Sequence, residues 1–131
     1  MRVVYLDTSV LVSIFFEEGA RDNAVFLKLL NKAEEVISSA LLEAEFLSVL
    51  HREKANRDEG LKLLKQVSLL NPDRSLQPEL RRVFSMAYLR GADAFHLACA
   101  LYLDPSAGEI SFLSADDHQN SAAKKLKFKT V

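Results

Sequence analysis

The chain has 131 residues, 49% hydrophobic and 27% charged, with three prolines, four glycines and a formal net charge of −1. That length fits one domain, residues 1–131, around a single core, and the composition excludes a disordered chain. The near-neutral charge excludes a global basic field, so a nucleic-acid partner would have to be met by a local surface. Val3 to Leu6 is a short, β-branched, apolar run of the kind buried in a parallel sheet. It stops at Asp7-Thr8-Ser9, a trio suited to a turn and helix cap, and apolar residues resume from Val10 to Phe16.

Residues 21–34 are expected to form a helix with Ala24, Leu27 and Leu30 on one face. Val36 and Ile37 form a second short strand ending in Ser38-Ser39. From Ala40 to about Lys54, Leu42, Phe46, Val49 and Leu50 recur with helical spacing. Residues 58–70 give another amphipathic helix through Leu61, Leu64 and Leu69, stopped by Asn71-Pro72. Gln77 to Arg90 repeats the pattern through Leu80, Val83, Phe84, Ala87 and Tyr88, with Gly91 as its C-terminal stop. Asp93 opens the next helix, and Asp104-Pro105 ends it. Ile110 to Leu113 is a third strand leading to Ser114-Ala115-Asp116-Asp117, a basic helix follows, and Phe128 to Val131 is expected to close the sheet. Alternating strands and helices predict an α/β layer fold with a mostly parallel sheet covered on both faces.

Cys99 is the one cysteine, so an internal disulfide and a multi-cysteine zinc site are excluded. Its apolar neighbours, His96 to Leu101, predict a buried and inert thiol, consistent with a reducing cytoplasm. The apolar stretch at the N-terminus is too short for a signal peptide. No run approaches the roughly 18 apolar residues of a membrane span. A soluble, cytoplasmic protein is expected.

Ligands of parallel sheets bind beyond the carboxyl ends of the strands. Asp7 follows the first strand directly, and Asp116 follows the third after two small residues. Asp93 and an acid of the helix after the second strand stand at or near helix starts on the same inferred edge. Four carboxylates converging without basic partners would repel and raise one another's pKa. A hard divalent cation such as magnesium, which prefers oxygen ligands and keeps several waters, resolves that conflict. Singly, each acid has a plainer role: Asp7 and Asp93 as helix caps, Asp116 as a turn residue, Glu45 on a solvated face. Glu43 and Glu45 flank the apolar stripe of their helix on opposite sides, each roughly 80° from its centre, so periodicity does not choose between them.

The residues resemble the PIN-domain nucleases, and within them the VapC-type toxins of toxin–antitoxin pairs. Val4-Tyr5-Leu6-Asp7-Thr8-Ser9-Val10-Leu11 is similar to that family's opening block, with its first metal-binding Asp. Ser38-Ser39-Ala40-Leu41-Leu42-Glu43-Ala44-Glu45-Phe46-Leu47 resembles the second, in which a Ser precedes the acid by six positions; the resemblance thus selects Glu45. Leu89-Arg90-Gly91-Ala92-Asp93-Ala94-Phe95-His96-Leu97-Ala98 resembles the third, the most distinctive. Phe112-Leu113-Ser114-Ala115-Asp116 resembles the last, with Ser114 where Thr is usual and Asp117 as an extra acidic neighbour.

The resemblance implies a three-layer α/β/α sandwich and a magnesium- or manganese-dependent endoribonuclease whose ligands and catalytic residues are Asp7, Glu45, Asp93 and Asp116. It also implies a homodimer, silenced by a cognate antitoxin, and cleavage of RNA to a 5′-phosphate and 3′-hydroxyl. Thr8 or Ser9 would bond a carboxylate or phosphate, or simply cap a helix. His96 would pack within its helix rather than act as a base. Arg90 would approach RNA phosphate or pair with a carboxylate. Lys124, Lys125, Lys127 and Lys129 form the densest basic group, either phosphate-contacting or merely solvated. Rival readings are an aspartate-based phosphatase, which lacks its usual Asp-x-Asp because Ser9 holds the second position, a PIN-like RNA-processing nuclease, and a non-catalytic binding module in a larger complex.

Overall fold

The structure is a computed structural model that describes residues 2–17 and 20–131. In chain order it runs β1 (Val3–Leu6), α1 (Thr8–Phe15), α2 (Ala20–Lys32), β2 (Glu35–Ser39), α3 (Ala40–Arg52), α4 (Arg57–Leu64) and β3 (Ser68–Leu70). There follow α5 (Gln77–Met86), α6 (Gly91–Leu103), β4 (Ile110–Leu113) and α7 (Asp117–Lys125). The four strands lie in the order β3-β2-β1-β4, and every pairing is parallel. The chain winds outward from β1 to β3 and then returns to place β4 on the other side. Because crossovers are right-handed, opposite directions of travel put the two sets of helices on opposite faces.

Side chains divide accordingly. Along β1, Val4 and Leu6 face a core shared with Leu42, Phe46 and Leu50 of α3. Val3 and Tyr5 face the other core, among Leu97 and Leu101 of α6 and Ala122 and Ala123 of α7. This is the period-2 alternation of a strand buried on both faces. Tyr5 pairs in register with Phe112 and their rings stack, centroids 5.5 Å apart and 9° from parallel, which is worth about 0.5–1.5 kcal/mol beyond burial. Cys99 is buried in the same core, where loss of solvent pushes its thiol up to about 11. Among the described residues, no helix is long and apolar enough to cross a membrane.

Four local expectations are corrected. The helix expected over 58–70 ends at Leu64, and Ser68–Leu70 pairs with β2 as a strand too short to show a period. On α2 the face toward the core carries Phe26, with Leu29 and Leu30 beside it, while Ala24 and Leu27 are exposed. Adjacent apolar residues offered two stripes, and the buried Asn23 turned the helix: its amide donates to the Ser13 carbonyl at 2.9 Å and accepts the Ser13 hydroxyl at 2.7 Å. The helix expected over 77–90 stops at Met86, and Gly91 begins α6 rather than ending α5. The burial of Leu89, not of Tyr88, directs that connection. Finally, Phe128 to Val131 adds one parallel bridge, Ser111 to Lys129, in place of a strand.

Candidate metal centre at the carboxyl edge of the sheet

Between β1 and β4 the winding direction reverses, and such a switch point leaves a crevice at the strands' carboxyl ends. Asp7 stands in it. Its backbone N–H continues the ladder by donating to Leu113 carbonyl at 3.1 Å, and its side chain caps α1, accepting from Ser9 N–H at 3.1 Å. The Ser9 hydroxyl donates to the same oxygen, Oδ1, and accepts from Ala115 N–H at 2.9 Å. Ser9 thereby ties the end of β1 to the loop after β4. Capping and site placement, alternatives in the sequence, coexist in one side chain. Asp7 is 4% exposed, and burial pushes its pKa up, with the Asp93 charge acting in the same direction against the Ser114 and Ser9 hydroxyls and His96.

Glu45 projects from the second turn of α3. Its Oε1 accepts the Thr8 hydroxyl at 2.7 Å and lies 2.9 Å from Nε2 of His96. The His96 hydrogen bond and that of Thr8 hold the Glu45 carboxyl below its ordinary range, against the opposing effect of burial. Both contacts fall on Oε1. On the far side of the ring, Nδ1 lies 2.9 Å from the buried Tyr5 hydroxyl. An ionised carboxylate only accepts, so the ring donates from Nε2, and in that tautomer Nδ1 accepts from Tyr5. His96 packs in its helix as expected, edge-on to Tyr5 with ring centroids 5.9 Å apart. It also carries a polar relay from the core to Glu45. Glu43 is exposed and lines a separate groove with Asp58 and Lys62.

Asp93 lies in the first turn of α6, whose cap position is Arg90, so the capping role expected of Asp93 does not arise. Burial raises its pKa, the charges of Asp116 and Glu45 raise it further, and Arg90 and His96 oppose them. The Arg90 Nε is 3.8 Å from Asp93 Oδ2. Gln119, fully buried on α7, donates to the Asp93 carbonyl at 2.8 Å and fixes the two helix starts together. Asp116 caps α7 through His118 N–H at 2.8 Å, and its own N–H donates to the Ser114 hydroxyl at 3.0 Å. The Asp93 carboxyl feels Asp116; Asp117 is exposed in the first turn of α7.

The four acids therefore share one edge, where Asp93 feels Glu45 and Asp116 and acts on Asp7, although among the described residues no three His, Cys, Asp or Glu side chains close around a common point. The donor set fits a hard divalent cation. It is all oxygen, and the Asp7 and Asp93 acids are strained towards protonation by burial and neighbouring charge. The four lysines are all exposed. Lys124 and Lys125 close α7, about 12 Å along the helix from the end that Asp116 caps.

Sequence reasoning missed the Tyr5 hydroxyl and Gln119 and took His96 for packing alone. Only the i,i+3 spacing from Asp93 to His96 signalled that the ring shares the site's face of α6. Nothing in the apolar run around Tyr5 pointed to a partner 91 positions away.

An all-parallel α/β sheet places its ligand site at the switch point, the edge on which these four acids lie. The chain belongs to the PIN domain family, whose model matches residues 4–125. That fold is generally a nuclease fold, and PIN domains usually bind magnesium. Comparison with curated proteins gives no match.

Proposed function

We propose that the chain is a magnesium-dependent endoribonuclease, with manganese as a substitute, hydrolysing RNA phosphodiester bonds as the toxin of a toxin–antitoxin pair. The observation that carries this reading is the placement of Asp7, Glu45, Asp93 and Asp116 along the switch-point edge, where Asp93 feels the charges of Glu45 and Asp116 and acts in turn on Asp7. Asp7, Glu45 and Asp93 would hold the cation, with Asp116 closing the set. When bound, the cation activates water and neutralises charge on the phosphate.

The chain's own residues supply the geometry. Ser9 holds Asp7 in one rotamer, and Thr8 with His96 holds Glu45. Such fixed ligands position a scissile phosphate with little reorganisation. Arg90, exposed beside Asp93, offers its guanidinium to a phosphate oxygen. The four-block resemblance supports the VapC-type assignment, and with it a cognate antitoxin and a cytoplasmic homodimer. Val25 and Leu27, exposed on α2, supply apolar surface for the second copy.

The test incubates the purified chain with unstructured and structured RNA in Mg²⁺, in Mn²⁺ and in EDTA, beside Asp7→Asn. Asn caps a helix as well as Asp, so the variant is expected to fold and to lose cleavage by at least a hundredfold. Full activity in Asp7→Asn, or cleavage that persists in EDTA, would remove the metal centre from the account. A metal-binding chain that cleaves no RNA would instead favour a binding module in a larger complex.

A further inference from the structure

The connection from Met86 to Gly91 is extended at both ends, with Ala87 at φ −157°, ψ 153° and Arg90 at φ −65°, ψ 156°. Burial alternates along it: Leu89 sits in the core, and Tyr88 and Arg90 point outward. Residues two apart in extended chain project to the same side, about 6.6 Å from one another. Tyr88 is 91% exposed, far more than any other exposed large apolar side chain of the described residues. Packing gives no account of a ring so placed. The Arg90 side chain is 85% exposed, and its ion pair with Asp93 is 3.8 Å long. This outward side therefore borders the acid cluster.

We propose that Tyr88 and Arg90 form a nucleotide-binding subsite at the rim of the metal centre. The Tyr88 ring stacks on an unpaired base while the Arg90 guanidinium takes the adjoining phosphate. The inference rests on the nuclease reading above and adds to it the residues that hold the strand. An exposed ion pair contributes little, so Arg90 exchanges Asp93 for a phosphate at small cost. Guanidinium matches phosphate geometry with two parallel N–H donors. A phenol ring stacks on any base whose face is open, which suits a single strand and excludes a base held in a duplex.

The chain has no tryptophan, so Tyr88→Trp places a single indole reporter at the rim. In an Asp7→Asn background, its emission is read while a short unstructured oligoribonucleotide is added, then the same oligonucleotide annealed to its complement. Quenching by the single strand and not by the duplex is expected. In the active chain, Tyr88→Ala should raise KM by roughly 5- to 150-fold, with a much smaller change in kcat, and Tyr88→Phe should restore it. Silent emission, equal quenching by duplex, or Tyr88→Phe behaving as Tyr88→Ala would overturn the subsite. So would loss of self-association in Tyr88→Ala, seen by sedimentation, with RNA affinity intact, because the ring would then serve a second copy of the chain. Cleavage by the parent chain with silent emission sinks the subsite alone; quenching without any cleavage sinks the nuclease reading and leaves the subsite standing.

Discussion

His96 shows how much one buried side chain decides. It touches Tyr5 with one ring nitrogen and Glu45 with the other, both at 2.9 Å, and is 1% exposed. Replacing it by leucine leaves the buried Tyr5 hydroxyl only the Ser38, Ser39 and Cys99 side chains beside it, at up to about 1–3 kcal/mol, and frees Glu45 to rotate. His96→Leu should therefore lower both stability in denaturant melts and kcat. Adding Tyr5→Phe removes the stranded hydroxyl as well, so the double variant should recover much of the stability and none of the activity. Equal recovery of both would mean that the relay does not orient Glu45. The candidate site was proposed at this scale, from single residues. The four acids were marked by their places after strands and near helix starts, whereas the relay was not, because its members are separated by dozens of residues and meet only through packing.

At the scale of elements, the contact between α3 and α4 is the tightest place to probe. A Cβ at Gly60 would collide with Leu50 Cδ1 and meet its Cγ at 3.3 Å, and Leu50 is itself held in the core. Alanine there gains about 1 kcal/mol of helix propensity, but overpacking costs about 1–3 kcal/mol. Gly60→Ala should thus destabilise by roughly 1 kcal/mol. Gly91 is the contrast, since a Cβ there meets no described atom within 4 Å at the first residue of α6. Gly91→Ala should stabilise by about 0.4–1 kcal/mol through the unfolded chain. Thermal melts of the two variants check both signs. The elements that sequence patterning missed or overran share a cause. β3 has three residues, too few for a period, and the helix expected to reach Arg90 was carried past Met86 by Ala87 and Tyr88, which the fold sets on an extended connection with Tyr88 in water.

For the molecule as a whole, the acid cluster links stability to pH and to metal. The pKa of Asp7 is raised in the folded state, so the native chain binds more protons than the unfolded one once pH exceeds the unfolded Asp value, about 3.9. Stability is therefore lost as pH rises from there through the folded value, and the loss stays constant above it. Glu45 has the opposite sign: its contribution is present above its unfolded value and is lost as pH falls through its lowered folded value. The difference between Asp7→Asn and the parent isolates the first effect. In metal-free buffer the variant should melt higher at neutral pH, and the gap should close in acid. Millimolar Mg²⁺ should raise the parent's melting temperature and leave the variant's nearly unchanged. A gap that widened in acid would reverse the sign assigned to Asp7.

The sequence by itself determined the layer order and the places of the acids. An apolar four-residue run buries on both faces, and a polar residue that follows it must emerge at the strand's end. It also carried the family, through four blocks that span most of the matched residues 4–125. What only the tertiary structure decided was anything set by packing between distant elements: which stripe of α2 turns inward, and the joining of Tyr5 to Glu45 through His96. Local pattern assigns each residue a face of its own element. Which faces meet is fixed by burying both cores at once, and that energy has no local signature.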